Sequence, residues 1–505
     1  MIDLLYVYPV LIGVAYVSQF YFLRQESFNL KWRIFAVELL CFWIPMGFVT
    51  KMNMDQFNLF TEQVPNQTST SIESVLAIFG ATGFFTIILK PLATFITGRL
   101  HHRRFWIWPS HFSLLLTIIF TYLNLNHQHI VYIVFTAIFF AFSLSSSSLW
   151  YLIIQEQLFQ RTNPFTTATI TTGLYLLGNF TGTYFWTLLQ QEIAVTNWRL
   201  SVGVVLLVCI LSNITSFCLG FFNKEESIYV RGYGNKTIHF DKYKKIYLLY
   251  VIVMSLLISS IFNFMNCQLM QFYLLAFNNI DIQWFFRLQD AAGFIPEILV
   301  GFLIYHFIKR KISQTVWLTI CSSLVTISVV LIFIIHNIYF LAAIYIILGL
   351  MYTQITYSLF SMAIYWNYRT KGTPVTGYAA SATTAGNYLS IFFIRVMQIN
   401  SIGAFRYLNG KTLSTLTNDD LIILQNNYWT YGSILIGTCI AFSFILVLMI
   451  VFLLKEFTQM AHNIDDAIKH DTKILYVPVK GIVNNYLTPS SHIYKNNLKK
   501  TNKHL

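Results

Sequence analysis

The residues of this chain that could do chemistry are a few charges placed inside long apolar segments. Glu297 lies near the middle of segment 284–308, with no cation one helical turn away. Ionisable groups at such a depth in a membrane segment commonly mark ion or substrate pathways, because burying a charge there is costly. We therefore predict that Glu297 is a proton-coupling site. A protonated, hydrogen-bonded structural glutamate after Pro296 is the alternative.

Arg287 and Asp290 precede Glu297 on the same predicted helix. The positions follow i, i+3 and i+7 spacing with Phe294, so these side chains share one helix face. Arg287 and Asp290 are predicted to form a local ion pair near the outer surface, with a structural role favoured over a gate. Asp290 is also a proton-coupling candidate, and Arg287 a charge-pair candidate.

Glu38 and Lys90 occupy two consecutive apolar segments at similar depth. Glu38 follows Lys31 by seven residues, and Lys90 precedes Gly98 by eight on a segment that runs the opposite way. We predict that they pair, which makes Glu38 a third proton-coupling candidate and Lys90 a candidate substrate contact. Alternatively, Lys90 extends to the membrane surface and Glu38 lies at the interface.

A second set of polar residues could contact a substrate or join helices. Arg395 lies near the outer end of segment 375–397, where an interface anchor is favoured over a contact with a substrate anion. Amides lie at Gln268, Gln271 and Gln354. Such amides more often join helices than bind ligands. An anionic ligand would fit Lys90 or Arg395.

The segments that carry these residues are long, apolar and numerous. Of 505 residues, 56% are hydrophobic and only 10% are charged, whereas soluble globular chains have about 25% charged residues. Segments of this length are read as membrane-spanning helices. There are thirteen: 4–23, 31–51, 74–97, 105–123, 129–154, 166–190, 198–222, 246–275, 284–308, 313–335, 338–366, 375–397 and 430–454.

Basic residues fall in alternate loops, which predicts the orientation. They cluster at 24–33, 98–104, 161, 224–245, 309–311 and 369–371 and in the tail. Basic loops face the cytoplasm, so the N-terminus is expected outside and the C-terminus inside. Outer loops are expected to hold acidic residues, among them Asp419 and Asp420.

The predicted organisation is one accessory helix followed by two bundles of six. We predict an accessory helix at 1–30, bundles at 31–222 and 246–454, a cytoplasmic linker at 223–245 and a basic tail at 455–505 that lies on the inner membrane surface or is disordered. An internal repeat supports this division. Arg161-Thr162 precedes Gly178-Asn179 at the same spacing that separates Arg369-Thr370 from Gly386-Asn387.

Four sequence features resemble the major facilitator superfamily of transporters. Gly98-Arg99-Leu100-His101-His102-Arg103 is similar to the signature G-x-L-x-D-R, with His102 in the place of the aspartate. Leu89-Lys90-Pro91-Leu92 resembles a motif of metabolite:proton symporters, and Trp198-Arg199 one of drug:proton antiporters. The segment from Glu156 to Arg161 is similar to E-x-x-P-x-x-x-R, without its proline.

The resemblance implies an all-α membrane protein that moves a small solute by alternating access. Gly98, His102 and Arg103 would then form a gate motif on the cytoplasmic side. Because no nucleotide-binding motif is present, an ion gradient is the expected energy source, most simply protons. Uptake by symport and multidrug efflux by antiport both remain open.

Other classes of protein fit the sequence less well. A membrane-bound enzyme would need several catalytic side chains at one depth, and a transport-dead receptor would need a large output domain. No cofactor or metal site is expected: the six cysteines fall in apolar runs, and His101-His102 lack further ligands. The expected partners are a small-molecule substrate, protons and the lipid bilayer of the cell membrane, with no nucleic acid, and the chain is expected to be a monomer.

Overall fold

The computed structural model of the chain is almost entirely helical. It describes residues 4–25, 30–62, 69–100, 102–127, 130–157, 164–193, 198–223, 228–233, 244–266, 270, 274, 312, 314–335, 337–367, 373–400, 417–452 and 474–478. The first eight helices are α1 Leu4–Gln25, α2 Leu30–Glu62, α3 Ser69–Leu100, α4 Arg104–His127, α5 Ile130–Ser145, α6 Ser147–Gln157, α7 Pro164–Ile193 and α8 Trp198–Phe222. Five more follow: α9 Lys245–Met265, α10 Gln314–Ile334, α11 Ile338–Asn367, α12 Val375–Ile399 and α13 Asn418–Phe452.

Every predicted apolar segment except 284–308 overlaps helix in the described residues. Within the described residues, eight helices are long and apolar enough to span a membrane, and shorter apolar helices cover Val7–Tyr21 and Ile436–Phe452. Large apolar side chains such as Phe112, Leu207 and Phe444 are exposed on the outer faces, as lipid contact requires. The segment 284–308 lies outside the described residues, so the total of thirteen spans remains a prediction.

The buried apolar side chains form two separate cores. One is built from α1, α2 and the helices up to α8, between Tyr8 and Cys209. The other is built from α9 to α13, between Tyr247 and Ile450. We call these sets of helices the N-terminal group (α1–α8) and the C-terminal group (α9–α13). A small cluster of five buried residues bridges them, and it includes Tyr151 and Phe360.

Helix α1 packs against α7 of the N-terminal group. The ring of Tyr8 makes edge contacts with Phe180 and Tyr184, at centroid distances of 5.6 and 6.0 Å. Gln19 is buried beside Gly173, where an added Cβ would lie 2.8 Å from the Gln19 amide nitrogen. Helix α1, the predicted accessory helix, is therefore part of the N-terminal core.

The predicted segment 129–154 is broken into two helices at its serine run. The turn is closed by the Ser146 amide, which donates to the Ser143 carbonyl at 3.2 Å. The Ser145 hydroxyl donates to the Phe142 carbonyl at 2.5 Å, and that of Ser146 to Ser143 at 2.8 Å. Serine side chains that bond nearby carbonyls compete with the regular helix, which accounts for the break at this run.

Helix α13 begins at Asn418, well ahead of the predicted start at 430. The Asp420 carboxylate accepts bonds from the Thr417 amide at 2.8 Å and the Thr417 hydroxyl at 2.7 Å, while the Asp420 amide donates back to that hydroxyl at 3.4 Å. This arrangement is a helix N-cap. The assignment of Asp419 and Asp420 to a loop was therefore wrong, because they form the first turn of the helix.

The linker and the tail pair as strands, which the sequence did not indicate. Strand β1, Ile228–Tyr233, runs antiparallel to β2, Ile474–Pro478, with Tyr229 opposite Val477 and an irregularity between Val230 and Gly232. These five residues of the predicted basic tail are thus neither disordered nor free of the protein. The pairing also places these two segments at the same end of the bundle.

Candidate functional site

The two helix groups meet along a contact between α3 and α12, which we call the seam (residues 83–94 of α3 and 377–388 of α12). Tyr388 packs its ring on Gly83, where an added Cβ would lie 2.5 Å from a ring carbon. One end of the seam has Gly377 against Pro91 and Thr94, with corresponding distances of 2.7 and 2.8 Å. Glycine at both positions lets the two helices approach closely across the group boundary.

Pro91 creates a bonding site at the centre of the seam. A proline inside a helix has no N–H, so the carbonyl four residues earlier loses its usual partner. That carbonyl belongs to Ile87, and it accepts a 2.7 Å bond from the Ser381 hydroxyl of α12. A helix defect in one group is thereby satisfied by a side chain of the other.

Lys90 crosses the seam beside this bond. Its side chain is buried, and its ammonium donates to the Ala380 carbonyl at 3.2 Å and to the Thr384 hydroxyl. The predicted pairing of Lys90 with Glu38 is wrong. Lys90 points to α12 and Glu38 to α4, because helix rotation directs them to different neighbours.

Glu38 is bound inside the N-terminal group by Arg104. The two Arg104 terminal nitrogens reach the two carboxylate oxygens at 2.6 and 3.0 Å, and both side chains are almost fully inaccessible. Asn223 donates a third bond at 3.2 Å, and Ser216 bonds the Glu38 carbonyl at 2.7 Å. Gly220 leaves room for the pair, since a Cβ there would lie 2.6 Å from an Arg104 nitrogen.

The gate motif forms a second buried ion pair. Arg103 holds Glu156 of α6, with its Nη2 at 2.7 Å and its Nε at 3.1 and 3.2 Å from the carboxylate oxygens. Its Nη1 also donates to Thr97 at 3.1 Å and to the Thr94 carbonyl at 3.3 Å. Two regions of family resemblance, 98–103 and 156–161, therefore meet through Arg103 and Glu156.

Of the other two residues of the gate motif, Gly98 lies beside this ion pair and His102 lies beside Trp108. A Cβ added at Gly98 would lie 3.4 Å from Arg103 Nη1, which is an ordinary contact. His102 is half-buried, and its ring lies 6.4 Å from that of Trp108. The motif thus fixes the turn between α3 and α4, one helical turn beyond the seam.

The repeated Gly-Asn pairs occupy matching helix crossings in the two groups. A Cβ at Gly178 of α7 would lie 2.8 Å from Trp43 Cβ of α2. A Cβ at Gly386 of α12 would lie 2.6 Å from the Leu256 carbonyl of α9. The following Asn387 accepts a 2.5 Å bond from Asn263 of α9. The sequence repeat is thus matched by the same close crossing in each group.

Aromatic side chains meet across the boundary beside the seam. Tyr151 of α6 stacks on Phe360 of α11 at 4.7 Å, and its hydroxyl bonds Thr172 at 2.9 Å. Gln354 of α11 is buried, with 1% of its surface exposed. Sequence reasoning missed Tyr151, Phe360 and Ser381. The freed carbonyl four residues before Pro91 was the one available signal for the last of them.

Several predicted site residues lie outside the described part of the structure. They are Glu297, Asp290, Arg287, Gln268 and Gln271. Arg395 belongs to α12, but its side chain is not among those described. The roles predicted for these six residues therefore remain predictions.

No protein-family model and no curated protein matches the chain. Solved structures do. The human organic anion transporter MFSD10 (TETRAN) superposes with a TM-score of 0.57 at 10% identity, over 83% of this chain and 100% of that one. The E. coli fucose:proton symporter FucP gives 0.51 at 13% identity, over 81% and 97%. The proton:xylose symporter XylE, bound to 6-bromo-6-deoxy-D-glucose, gives 0.51 at 12%, over 83% and 95%.

At such low identities these likenesses concern the fold. They cover most of this chain and nearly all of each neighbour. The chain is a multi-pass membrane protein with the fold of the major facilitator superfamily.

Proposed function

We propose that the chain is a secondary active transporter that moves a small solute across the cell membrane by alternating access, driven by protons. The observation that carries this proposal is the division of the core. Two large apolar cores each lie within one helix group, whereas five buried residues bridge them. Two such bodies can rock against each other while each keeps its own packing, because closely packed bodies move as units.

The contacts between the groups suit a joint that opens and closes. The described polar bonds of the seam are those of Ser381 with Ile87 and of Lys90 with Ala380 and Thr384. These bonds join hydroxyl, carbonyl and ammonium groups, and each of these groups can bond to water when the helix groups separate. Opening therefore exchanges protein hydrogen bonds for hydrogen bonds to water, with a small net change in free energy.

Glu38 is a weaker candidate for proton coupling than Glu297 or Asp290. Glu38 is held by Arg104, so its carboxylate is compensated inside one group, which suits a structural role. Glu297 and Asp290 remain the carboxylate candidates. By the positive-inside rule, the end of the bundle that carries Arg103 and Arg104 faces the cytoplasm in this proposal.

Transport is tested with the full chain reconstituted in liposomes with an imposed pH gradient. Labelled solutes should accumulate, and interior pH should change in step with their entry. The sign of that change separates uptake by symport from efflux by antiport. If no solute of any charge class moves under a pH gradient or in counterflow, the proposal of a transporter fails.

Glu297→Gln tests the site of coupling. We expect the variant to lose accumulation driven by the pH gradient while retaining counterflow, because exchange of solute needs no net proton movement. Accumulation by the variant at the rate of the unmodified protein would remove Glu297 from the coupling mechanism.

Labelling of single cysteines in 98–104 and 309–311 should place both regions on one membrane face.

A further inference from the structure

The charge of Lys90 has no described counter-charge. Its bonds go to a carbonyl and a hydroxyl, both neutral. Two carboxylates on helices that contact α3 are already engaged, Glu156 of α6 by Arg103 and Glu38 of α2 by Arg104. The described part of α12 that faces Lys90 contributes hydroxyls and small residues, and no charged side chain, between positions 375 and 389.

An ammonium inside a closed seam, with no charged partner among the described residues, is electrostatically incomplete. An ammonium has three N–H donors, and Lys90 uses two described acceptors. When the groups separate, water can solvate the charge. When they close again, the charge must be balanced by an anion or lost as a proton, because an uncompensated charge in a low-dielectric interior is strongly disfavoured.

We infer that Lys90 binds an anionic substrate and takes up a proton with it, so that the chain is an anion:proton symporter. This inference rests on the proposed transport function and names its substrate class. It places the coupled proton on Lys90 instead of Glu297, so under it the Glu297→Gln variant would keep accumulation driven by the pH gradient. In the loaded carrier, the anion and the Lys90 ammonium close together as a neutral pair. In the empty carrier, Lys90 gives its proton to water on the inner side and closes as a neutral amine.

Each step conserves charge and protons. Lys90 in its amine form takes one proton from the outer solution and becomes an ammonium, to which the anion binds. After the groups rock, the anion leaves, the proton follows it into the inner solution, and the amine form returns. One proton crosses with each anion, so transport of a monovalent anion carries no net charge.

The surroundings of Lys90 favour an anion over a cation. Polar groups described around it include the hydroxyls of Thr94, Ser148, Ser381 and Thr384. In the closed seam, Thr94 donates to the Lys90 carbonyl, Ser381 to that of Ile87 and Thr384 to that of Ala380. A hydroxyl that turns away from its carbonyl when the groups separate can donate to a carboxylate, phosphate or sulfate oxygen. A cationic drug would face an ammonium without a described carboxylate to offset it.

The test compares solutes of three charge classes in the same liposomes. The probes are radiolabelled lactate and succinate as anions, glucose as a neutral solute and tetraphenylphosphonium as a cation. The unmodified chain should accumulate at least one anion under an inward proton gradient, with proton entry in parallel, and neither of the other two. Accumulation of glucose or tetraphenylphosphonium instead, with both anions excluded, would overturn the anion assignment while leaving the transporter intact.

Substitutions of Lys90 separate binding from coupling. Lys90→Gln retains hydrogen-bond donors without the charge, and we expect it to reduce anion uptake at least tenfold. Lys90→Arg keeps a permanent charge that cannot lose its proton. It should retain anion counterflow while losing acceleration by the proton gradient. Uptake by Lys90→Gln equal to that of the unmodified chain would refute the role of Lys90 in anion binding.

A matched control and a folding check complete the experiment. Lys51→Gln makes the same chemical change on α2, away from the seam, and should leave anion uptake and its proton dependence unchanged. Elution as a single peak in size-exclusion chromatography shows that each variant is folded. If the Lys90→Arg variant still couples anion entry to proton entry, the proton does not travel on this residue and the inference fails.

Discussion

Replacing Arg104 by methionine is the most informative stability experiment on this chain. The Glu38 carboxylate accepts bonds at 2.6 and 3.0 Å from Arg104 and at 3.2 Å from Asn223. Without Arg104, the buried Glu38 carboxylate loses both bonds of the ion pair and keeps the bond from the Asn223 amide. Breaking one side of a buried ion pair costs about 3–5 kcal/mol, because the remaining charge is uncompensated.

The double variant Glu38→Leu, Arg104→Met should be less damaging than either single variant. It buries apolar groups and no charge, and a buried pair replaced in this way is often neutral in stability. The Asn223 amide loses its acceptor, which costs about 1–3 kcal/mol. We therefore expect the double variant to lose about 1–3 kcal/mol and each single variant about 3–5 kcal/mol.

Reversible unfolding of the detergent-solubilised protein in sodium dodecyl sulfate measures these differences. Arg99→Met is the matched control. Arg99 is exposed on α3 with its guanidinium 4.3 Å from the centre of the Phe95 ring. Exposed contacts of this kind contribute about 0.5–1 kcal/mol. A double variant as unstable as the sum of its single variants would refute the reasoning, since Glu38 and Arg104 would then act independently.

Two further predictions concern packing and the tail. Gly386→Leu should prevent the close approach of α9 and α12 and strongly lower the melting temperature. Gly437→Leu is the control and should be nearly neutral, because an added Cβ at Gly437 meets open space. Equal losses of melting temperature in the two variants would contradict the close crossing at Gly386. Cysteines replacing Tyr229 and Val477, in a chain without its six native cysteines, should form a disulfide on mild oxidation, because facing strand residues have compatible Cα distances. A pair at Tyr229 and Ile474 should not, and equal cross-linking of both pairs would argue against the observed register.

The sequence predicted where the helices lie along the chain far better than the direction in which their side chains face. Apolar length predicted the helices and their order. The rotation of each helix about its axis depends on packing against all neighbours, so the partners of Glu38 and Lys90 were not predictable. The sequence places Arg104 in a basic loop cluster with Arg103. In the structure the two arginines point to different carboxylates, Arg103 to Glu156 and Arg104 to Glu38, and nothing in the sequence indicates this.

Local side-chain chemistry caused the other differences. The serine run interrupts a segment whose hydropathy is uniform, since hydroxyl groups bond carbonyls within one turn. The pairing of β1 with β2 joins residues about 240 positions apart, and such long-range pairing leaves no periodic signal in either segment. Ser381 could be assigned only once α3 and α12 were seen to touch, although Pro91 announced an unpaired carbonyl at Ile87.

The sheet of β1 and β2 has a consequence for a chain cut in the linker. A single break between Tyr233 and Lys245 would leave β1 on the N-terminal fragment and β2 on the C-terminal fragment. Pairing of β1 with β2 would then hold the two fragments together at one end of the helix bundle. A two-stranded sheet is weak alone, so it would guide reassembly of two separately produced fragments, and the packing of α3 on α12 would supply the strength.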